Sequence, residues 1–193
     1  MLKVLKIAVT GGLACGKSSI CAFLKELGAY ILSADEIVHQ LLFSDINLGK
    51  EIVALLGEDV QGSQGLDREA IAEKVFKDPQ LLKRLEELVH PVVLREIKRE
   101  AEKTKVPLFV VEIPLLFETG AEKYFDYTVV VVADEQRCHG RSSFDDEEYD
   151  RRMARQWKIE EKRKKADYVI ENNGSLEELQ EQALKFHQRL LQS

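Results

Sequence analysis

Several features that would assign this chain to a special class are missing from its sequence. It contains only three cysteines, Cys15, Cys21 and Cys138. Their odd number and unpaired spacing fit neither a disulfide framework nor a zinc site, so we expect reduced thiols in a cytoplasmic protein. No apolar run approaches the length of a membrane span, and the first residues are interpreted as a strand rather than a signal peptide. We therefore expect no membrane partner.

An excess of positive charge is also missing. The chain carries 28 Lys+Arg against 34 Asp+Glu, a formal net charge of −6, which does not favour nucleic acid as a partner. Charged residues make up 32% and hydrophobic residues 45% of the sequence, the balance of an ordinary globular protein. Its 193 residues can bury one substantial core with smaller appended subdomains.

The most informative stretch is glycine-rich and lies near the start of the chain. Gly11 and the run Gly16-Lys17-Ser18 fit the pattern of Gly, four residues, Gly-Lys-Ser/Thr that is typical of a phosphate-binding loop. The apolar segment Val4–Val9 before it predicts a buried strand, and the apolar spacing in Lys17–Leu27 predicts a helix. We call Gly11–Ser18 the P-loop. A tight glycine turn with one exposed lysine is the alternative.

This position between a strand and a helix suits the binding of a polyphosphate. Glycines allow close approach of the backbone, whose N–H groups and helix N-terminus supply positive dipoles. Lys17 would reach the β- and γ-phosphates, and the Ser18 hydroxyl would ligate Mg²⁺. A structural filler is the preferred interpretation of Cys15. We predict that ATP is bound by consecutive residues of this stretch: Gly12, Leu13, Ala14, Cys15, Gly16, Lys17, Ser18 and Ser19.

The rest of the chain predicts alternating strands and helices. Apolar runs predict four more strands, and a capping box at Ser175 and Glu178 opens a final helix through about Leu191. Strands that alternate with helices indicate parallel βαβ units and a three-layer α/β sheet, in which ligands bind beyond the carboxyl ends of the strands. The four strands are predicted at Ala29–Leu32, Pro107–Ile113, Tyr127–Ala133 and Tyr168–Ile170.

The intervening block from Glu36 to about Arg99 is helical in pattern and shows no strand signal. Asp67 and Asp78 are predicted N-caps. Pro91 disfavours helix at the preceding residue, so we expect a helix break at His90. His90 could bind a substrate anion, although a histidine held by hydrogen bonds at a helix break is the commoner outcome. We interpret the block as an inserted helical subdomain.

Acidic residues at the strand ends are candidates for chemistry. Asp35 follows the second predicted strand and could accept a proton from an attacking hydroxyl or help to hold Mg²⁺; the sequence supports equally an N-cap of the helix from Glu36. Glu112 lies near the end of the third strand, where an acid could order the water shell of the metal. Glu118 is interpreted as an ordinary surface acid.

A charged segment lies between the fourth and fifth strands. Arg151–Lys165 carries eight Lys/Arg against two Glu, and a solvated pair of helices explains most of this pattern. Phosphoryl transfer also needs cations that close over the nucleotide. The candidates for this role between the fourth and fifth strands are Arg137, Arg141, Arg152 and Arg155.

A GTPase is a weaker alternative. Its Asp-x-x-Gly motif is matched only at Asp59–Gly62, before the third strand, and Lys165-Ala166-Asp167 has Lys164 where Asn or Thr is needed. A kinase is better supported.

Taken together, these motifs resemble the dephospho-coenzyme A kinase family over nearly the whole chain. Their order and spacing carry the resemblance. They are TGGLACGKS at Thr10–Ser18, SAD at Ser33–Asp35, GLDREAIAEKVF at Gly65–Phe76, HPVV at His90–Val93, IPLLFE at Ile113–Glu118, QRCHGR at Gln136–Arg141, RMARQ at Arg152–Gln156 and ADYVIENNG at Ala166–Gly174.

The resemblance implies a three-layer P-loop kinase fold and phosphorylation of the ribose 3′-hydroxyl of dephospho-CoA by ATP with Mg²⁺. It implies a nucleotide-binding core at 1–35, 101–135 and 166–193, a helical CoA-binding insertion at 36–100 and a lid at 136–165. A monomer or weak homo-oligomer is expected.

The resemblance also implies roles for individual residues. Asp35 becomes the general base and contacts the substrate. Arg141 becomes the lid cation that acts with Lys17 in catalysis, and Arg137 is the second choice. Asn172 and Gly174 would pack near the adenine of ATP, and Ser18 and Glu112 would serve the metal. The dephospho-CoA side would be lined or supported by Asp35, His39, Arg68, His90, Leu115 and Leu116.

Three positions depart from the family pattern. Ser33 replaces the first acid of the usual Asp-Ala-Asp, so a second carboxylate role falls to Glu112 or to water. His39 stands where many members have arginine. Ala14 replaces a frequent glycine, at a cost of about 1 kcal/mol if the position needs positive φ. Another small-molecule or nucleoside-monophosphate kinase, and a nucleotide-sensing module without catalysis, remain alternatives.

Overall fold

The computed structural model describes residues 4–62 and 65–192, which form two compact units. The first unit contains the described residues up to Ser33 and those from Thr104 onward, and the second is Ala34–Lys103. Within the described residues, no helix is both long and apolar enough to cross a membrane.

The first unit is built on a five-stranded sheet in which all pairings are parallel. The strands are β1 (Leu5–Gly11), β2 (Tyr30–Ser33), β5 (Leu108–Glu112), β6 (Tyr127–Val132) and β7 (Tyr168–Glu171). The order across the sheet is β2-β5-β1-β6-β7. Strands β1, β5 and β6 are buried along most of their length, as strands covered on both faces are. The predicted three-layer α/β fold is confirmed.

Two helices of this unit, the first and the last, begin or end at predicted local signals. Helix α1 is followed by Gly28 at φ 93°, and the N–H groups of Gly28 and Ala29 donate to Lys25 and Leu24 in a Schellman motif. Ser175 and Glu178 form the predicted capping box. The helices are α1 (Lys17–Glu26), α6 (Glu135–Arg141), α7 (Asp146–Met153), α8 (Ile159–Lys165) and α9 (Leu176–Leu191).

The second unit is mainly helical. Asp67 and Asp78 accept hydrogen bonds from the first-turn N–H groups of their helices, as predicted. The expectation of no strand is wrong in one detail, because two residues pair with two others in an antiparallel ladder. The elements are α2 (Ala34–Ser44), α3 (Ile46–Leu56), β3 (Gln61–Gly62), β4 (Gly65–Leu66), α4 (Arg68–Val75) and α5 (Pro79–Lys103).

The predicted helix break at His90 is wrong. Helix α5 runs continuously through Pro91, although proline removes one backbone hydrogen bond and crowds the preceding turn. Val89, Val93 and Ile97 form a buried stripe on this helix, which packs against α2, α3 and α4. We attribute the continuity to this burial, which outweighs the local preference.

Backbone conformation in the P-loop depends on small residues. Gly11 and Gly16 have φ of 150° and 101°. A Cβ on Gly11 would lie 2.2 Å from the Val131 carbonyl oxygen, closer than any carbon can approach. Ala14 has φ 54° and, among the described residues, is the only non-glycine with positive φ. The position that departs from the family pattern therefore does need positive φ.

We predict that Ala14→Gly raises the free energy of unfolding by about 0.5–1 kcal/mol, because glycine relieves the left-handed backbone strain that alanine carries. Ala22→Gly is the matched control, since Ala22 is exposed on α1; it should lower the free energy of unfolding by about 0.5–1 kcal/mol. Urea denaturation of both variants measures the two changes. A loss of stability in Ala14→Gly equal to that in Ala22→Gly would contradict the strain.

Candidate nucleotide-binding site

The P-loop connects β1 to α1, and its lysine is held by the loop itself. The Lys17 ammonium donates to the Gly12 carbonyl oxygen at 2.7 Å and lies 3.5 Å from that of Gly11. Only 7% of the residue is exposed. The loop carbonyl groups therefore hold this positive charge in place.

Asn172, directly after β7, holds the middle of the loop. Its Nδ2 donates to the Cys15 carbonyl oxygen at 2.8 Å, and the residue is buried. A Cβ on Gly16 would lie 2.2 Å from this nitrogen, so only glycine permits the contact. The Asn172 amide thus secures the loop, and the position near the adenine that the resemblance implies stays a prediction.

Ser18 and Glu112 meet at the carboxyl end of the sheet. The Ser18 hydroxyl donates to Glu112 Oε1 at 3.0 Å. Glu112 is the last residue of β5, beside Val9 of β1. A hydroxyl and a carboxylate are hard oxygen donors of the kind that Mg²⁺ prefers, with further ligands from phosphates and water. The described residues contain no cluster of three or more His, Cys, Asp or Glu that could hold a metal by themselves.

One cavity of about 380 Å³ opens beside the loop. Its lining brings together the lysine and serine of the P-loop, one arginine of α6 and residues from β7 to the start of α9. The lining residues are Ala14, Gly16, Lys17, Ser18, Ser19, Arg141, Asn172, Gly174, Leu176 and Leu179. A Cβ on Gly174 would lie 1.5 Å from Glu178 Oε2, so the capping box requires glycine there.

The candidate lid arginines differ in their surroundings. Arg141 lines the cavity and forms no ion pair within the part of the chain that the structure describes. Arg137 lies 3.8 Å from Asp134 and is not among the lining residues. Arg152 is hydrogen-bonded to Glu148 at 2.6 Å, and its guanidinium lies 4.1 Å from the centre of the Phe144 ring. Of these three arginines, Arg141 is the one that lines the cavity.

The three cysteines are buried and free. Burial raises the pKa of the Cys15 thiol and of Cys138, and it raises the pKa of Cys21 to about 12. Thiols with raised pKa values are poor nucleophiles. Cys15 therefore fills space beneath the P-loop, as the preferred interpretation of the sequence has it.

Asp35 is the second residue of α2, two positions after the end of β2. The N-cap alternative is wrong, because the helix begins one residue before Asp35. Its side chain is exposed and accepts no hydrogen bond from any residue described here. A carboxylate in a first helical turn is favoured by the helix dipole, so the charge is accommodated without a partner.

The other predicted substrate residues of the second unit include one contacting pair. Arg68 Nη1 donates to His39 Nδ1 at 2.7 Å, and the His39 ring packs against Phe43. His90 is half-buried on α5, and this burial lowers its pKa. The negative charge of Glu86 raises the same pKa, but the effect of burial is larger. His90 therefore favours its neutral form.

Leu115 and Leu116 follow β5 in the first unit. Leu116 is fully buried, so it can support a binding surface but cannot contact a ligand. Leu115 is partly buried, and its carbonyl oxygen accepts from the Thr119 hydroxyl at 2.8 Å.

One buried pair was missed by sequence reasoning. Glu118, interpreted as a surface acid, lies 2.9 Å from the Lys162 ammonium, and its side chain is only 11% exposed. Lys162 itself is fully buried. The signal available in the sequence was the position of each charge within an otherwise apolar pattern: Glu118 follows the apolar run Ile113–Phe117, and Lys162 shares a helix face with Ile159.

Comparison with known proteins supports one family. The family model for dephospho-CoA kinase matches residues 5–178. A protein named dephospho-CoA kinase from Protochlamydia amoebophila is 46% identical over 199 residues, covering 98% of each chain.

Two solved structures agree with that match. A protein from Thermus thermophilus is 38% identical, with a TM-score of 0.85, and covers 97% of this chain and 98% of its own. Dephospho-CoA kinase from Campylobacter jejuni is 30% identical, with a TM-score of 0.72 and 96% of each chain covered. The chain has the P-loop kinase fold and belongs to the dephospho-CoA kinase family.

Proposed function

We propose that this protein transfers the γ-phosphoryl group of ATP to the ribose 3′-hydroxyl of dephospho-CoA, forming coenzyme A and ADP. The observation that carries the proposal is the grouping of Lys17, Ser18 and Arg141 around one cavity in a chain of this family. Phosphoryl transfer asks little covalent chemistry of a protein and depends on positioning and charge stabilisation. Fixed cations beside a loop of backbone amides suit that demand.

In this proposal each group has one task. P-loop amides bind the phosphates, and the Lys17 ammonium contacts the β- and γ-phosphate oxygens. Arg141 neutralises charge that develops on the transferring group. Asp35 accepts the proton of the attacking hydroxyl. Binding of dephospho-CoA would involve the second unit through Asp35, His39, Arg68 and His90, with Leu115 and Leu116 in support.

Ser18 and Glu112 fit a magnesium ion. Their oxygens lie 3.0 Å apart, and the hydroxyl and carboxylate would hold the ion directly or through water. When bound, Mg²⁺ would neutralise charge on the β- and γ-phosphates. Ser33 occupies the place of the family's first acid, so Glu112 is the carboxylate proposed for this task.

We also propose a cytoplasmic location, because the buried free thiols suit a reducing compartment. A monomer or weak homo-oligomer stays a prediction. A different small-molecule kinase would share the fold and the nucleotide site. A nucleotide-sensing module would bind ATP without transferring phosphate.

The function is tested by ADP release with a panel of acceptors. We expect activity with dephospho-CoA and Mg²⁺, coenzyme A as the product by mass spectrometry, and little activity with shikimate or nucleoside monophosphates. ATP binding without turnover on any acceptor would contradict the proposal.

Lys17→Ala should lower kcat by about 100-fold or more, because a fixed cation is removed from the phosphates. Lys25→Ala is the matched control, since Lys25 is an exposed lysine in the last turn of α1.

Asp35→Asn should preserve ATP binding and lower kcat with dephospho-CoA by about 100-fold or more, because the amide cannot accept the hydroxyl proton. Glu36→Gln removes an equal charge from the same helical turn and should leave kcat within a few-fold of the parent. Steady-state kinetics and nucleotide titration measure both effects. Near-normal kcat in Asp35→Asn would exclude the assignment as a base.

Arg141→Met should lower kcat by about 100-fold while changing the melting temperature little, because Arg141 lines the cavity and has no carboxylate partner among residues 4–62 and 65–192. Arg137→Met, on the same helix, should cost much less. The comparison uses saturating ATP and dephospho-CoA. A larger loss from Arg137→Met would move the lid role to Arg137.

A further inference from the structure

Lys162 is buried in a segment whose composition predicts a solvated surface. Its side chain has no exposure. The ammonium meets three acceptors: Glu118 Oε1 at 2.9 Å, the Pro114 carbonyl oxygen at 3.0 Å and Gln156 Oε1 at 3.3 Å. These match its three N–H donors.

A buried ion pair contributes little to stability by itself. Removing two charges from water has a large cost, and well-packed neutral residues of similar size are often as stable. Burial lowers the pKa of Lys162, and the positive charge of Lys17 lowers it further. The hydrogen bond with Glu118 acts in the opposite direction and raises this pKa. Lys162 therefore belongs to the electrostatic surroundings of the P-loop.

The contacts of the pair lead to the start of the P-loop. Pro114, whose carbonyl oxygen accepts from Lys162, also accepts from the Thr10 hydroxyl at 3.2 Å. Thr10 is the residue before Gly11. Lys162 thus holds the Pro114 carbonyl group in place, and the Thr10 side chain connects the start of the P-loop to that same group.

The same pair secures the segment after α7. Glu118 Oε1 accepts from the Trp157 N–H at 2.7 Å, and Trp157 stacks on Phe117 with ring centres 6.3 Å apart. Lys165 extends the attachment, because its ammonium lies 2.5 Å from Glu122 and 5.1 Å from the centre of the Trp157 ring. Trp157 and α8 are therefore attached to the residues after β5 at several points.

We propose that Glu118 and Lys162 are positioning residues for phosphoryl transfer, which hold the Pro114 carbonyl beneath the P-loop and anchor the lid at Trp157. This proposal rests on the proposed kinase function. Its consequence is a shorter lid than 136–165: α6 and α7, with Arg137 and Arg141, move on nucleotide binding, whereas 157–165 stays with the sheet.

The central test is the double variant Glu118→Gln/Lys162→Met, which removes both charges and leaves no unpaired one buried. We expect a melting temperature near that of the parent, nearly unchanged ATP affinity and a kcat lower by about 10- to 100-fold, because small misplacements of reacting groups are costly. Lys162→Arg should retain more activity than Lys162→Met. Lys164→Met is the matched control, since Lys164 is exposed on the same helix, and it should behave as the parent.

A folded double variant with kcat within twofold of the parent would overturn the proposal. If the variants do not fold, hydrogen exchange of the parent decides: with ATP and Mg²⁺ alone, exchange should slow in 135–153 and stay unchanged in 157–165. Concerted slowing of both segments would overturn the anchor. This measurement needs no acceptor, and failure of the kinase proposal would instead show as no ADP release by the parent on dephospho-CoA.

Discussion

The nucleotide site depends on the absence of a side chain at Gly16. The amide of Asn172 occupies the volume that a Cβ would need and donates to the Cys15 carbonyl oxygen. A loop that turns its N–H groups towards a polyanion must satisfy its carbonyl groups elsewhere. Asn172 satisfies one, and Lys17 satisfies that of Gly12. Because Asn172 directly follows the edge strand β7, this contact depends on the place of that strand in the sheet.

The features that the sequence predicts well are those determined by a few neighbouring residues. Gly28, Asp67 and Ser175 end or begin helices as predicted, because capping satisfies backbone groups within one turn. Pro91 shows the limit of such reasoning. Its local preference is outweighed by a stripe of buried side chains, and α5 packs against three other helices of the unit. Local signals likewise did not determine that α2 begins one residue before Asp35.

The departures from the family pattern have different physical consequences. Ala14 adopts the conformation that favours glycine, so its cost lies in the backbone. His39 instead gains a contact, because its Nδ1 accepts from Arg68. A guanidinium only donates hydrogen bonds, so an arginine at position 39 could not make this contact and would repel Arg68. With histidine at position 39, the pair contains only the guanidinium of Arg68, and the hydrogen bond to His39 orients that guanidinium.

The run of charges in Arg151–Lys165 contains one lysine that is not on the surface. Of the eight basic residues in Arg151–Lys165, Lys162 alone is fully buried. It lies three residues after Ile159 and four before Ala166, on the less exposed face of α8. Glu118 likewise ends the apolar run Ile113–Phe117. A base and an acid that each occupy an apolar position of their own segment are both costly to bury alone. Pairing lowers this cost without removing it, so a base and an acid that are both buried are expected to meet. The total composition of a charged segment does not show this, because it does not distinguish buried positions from exposed ones.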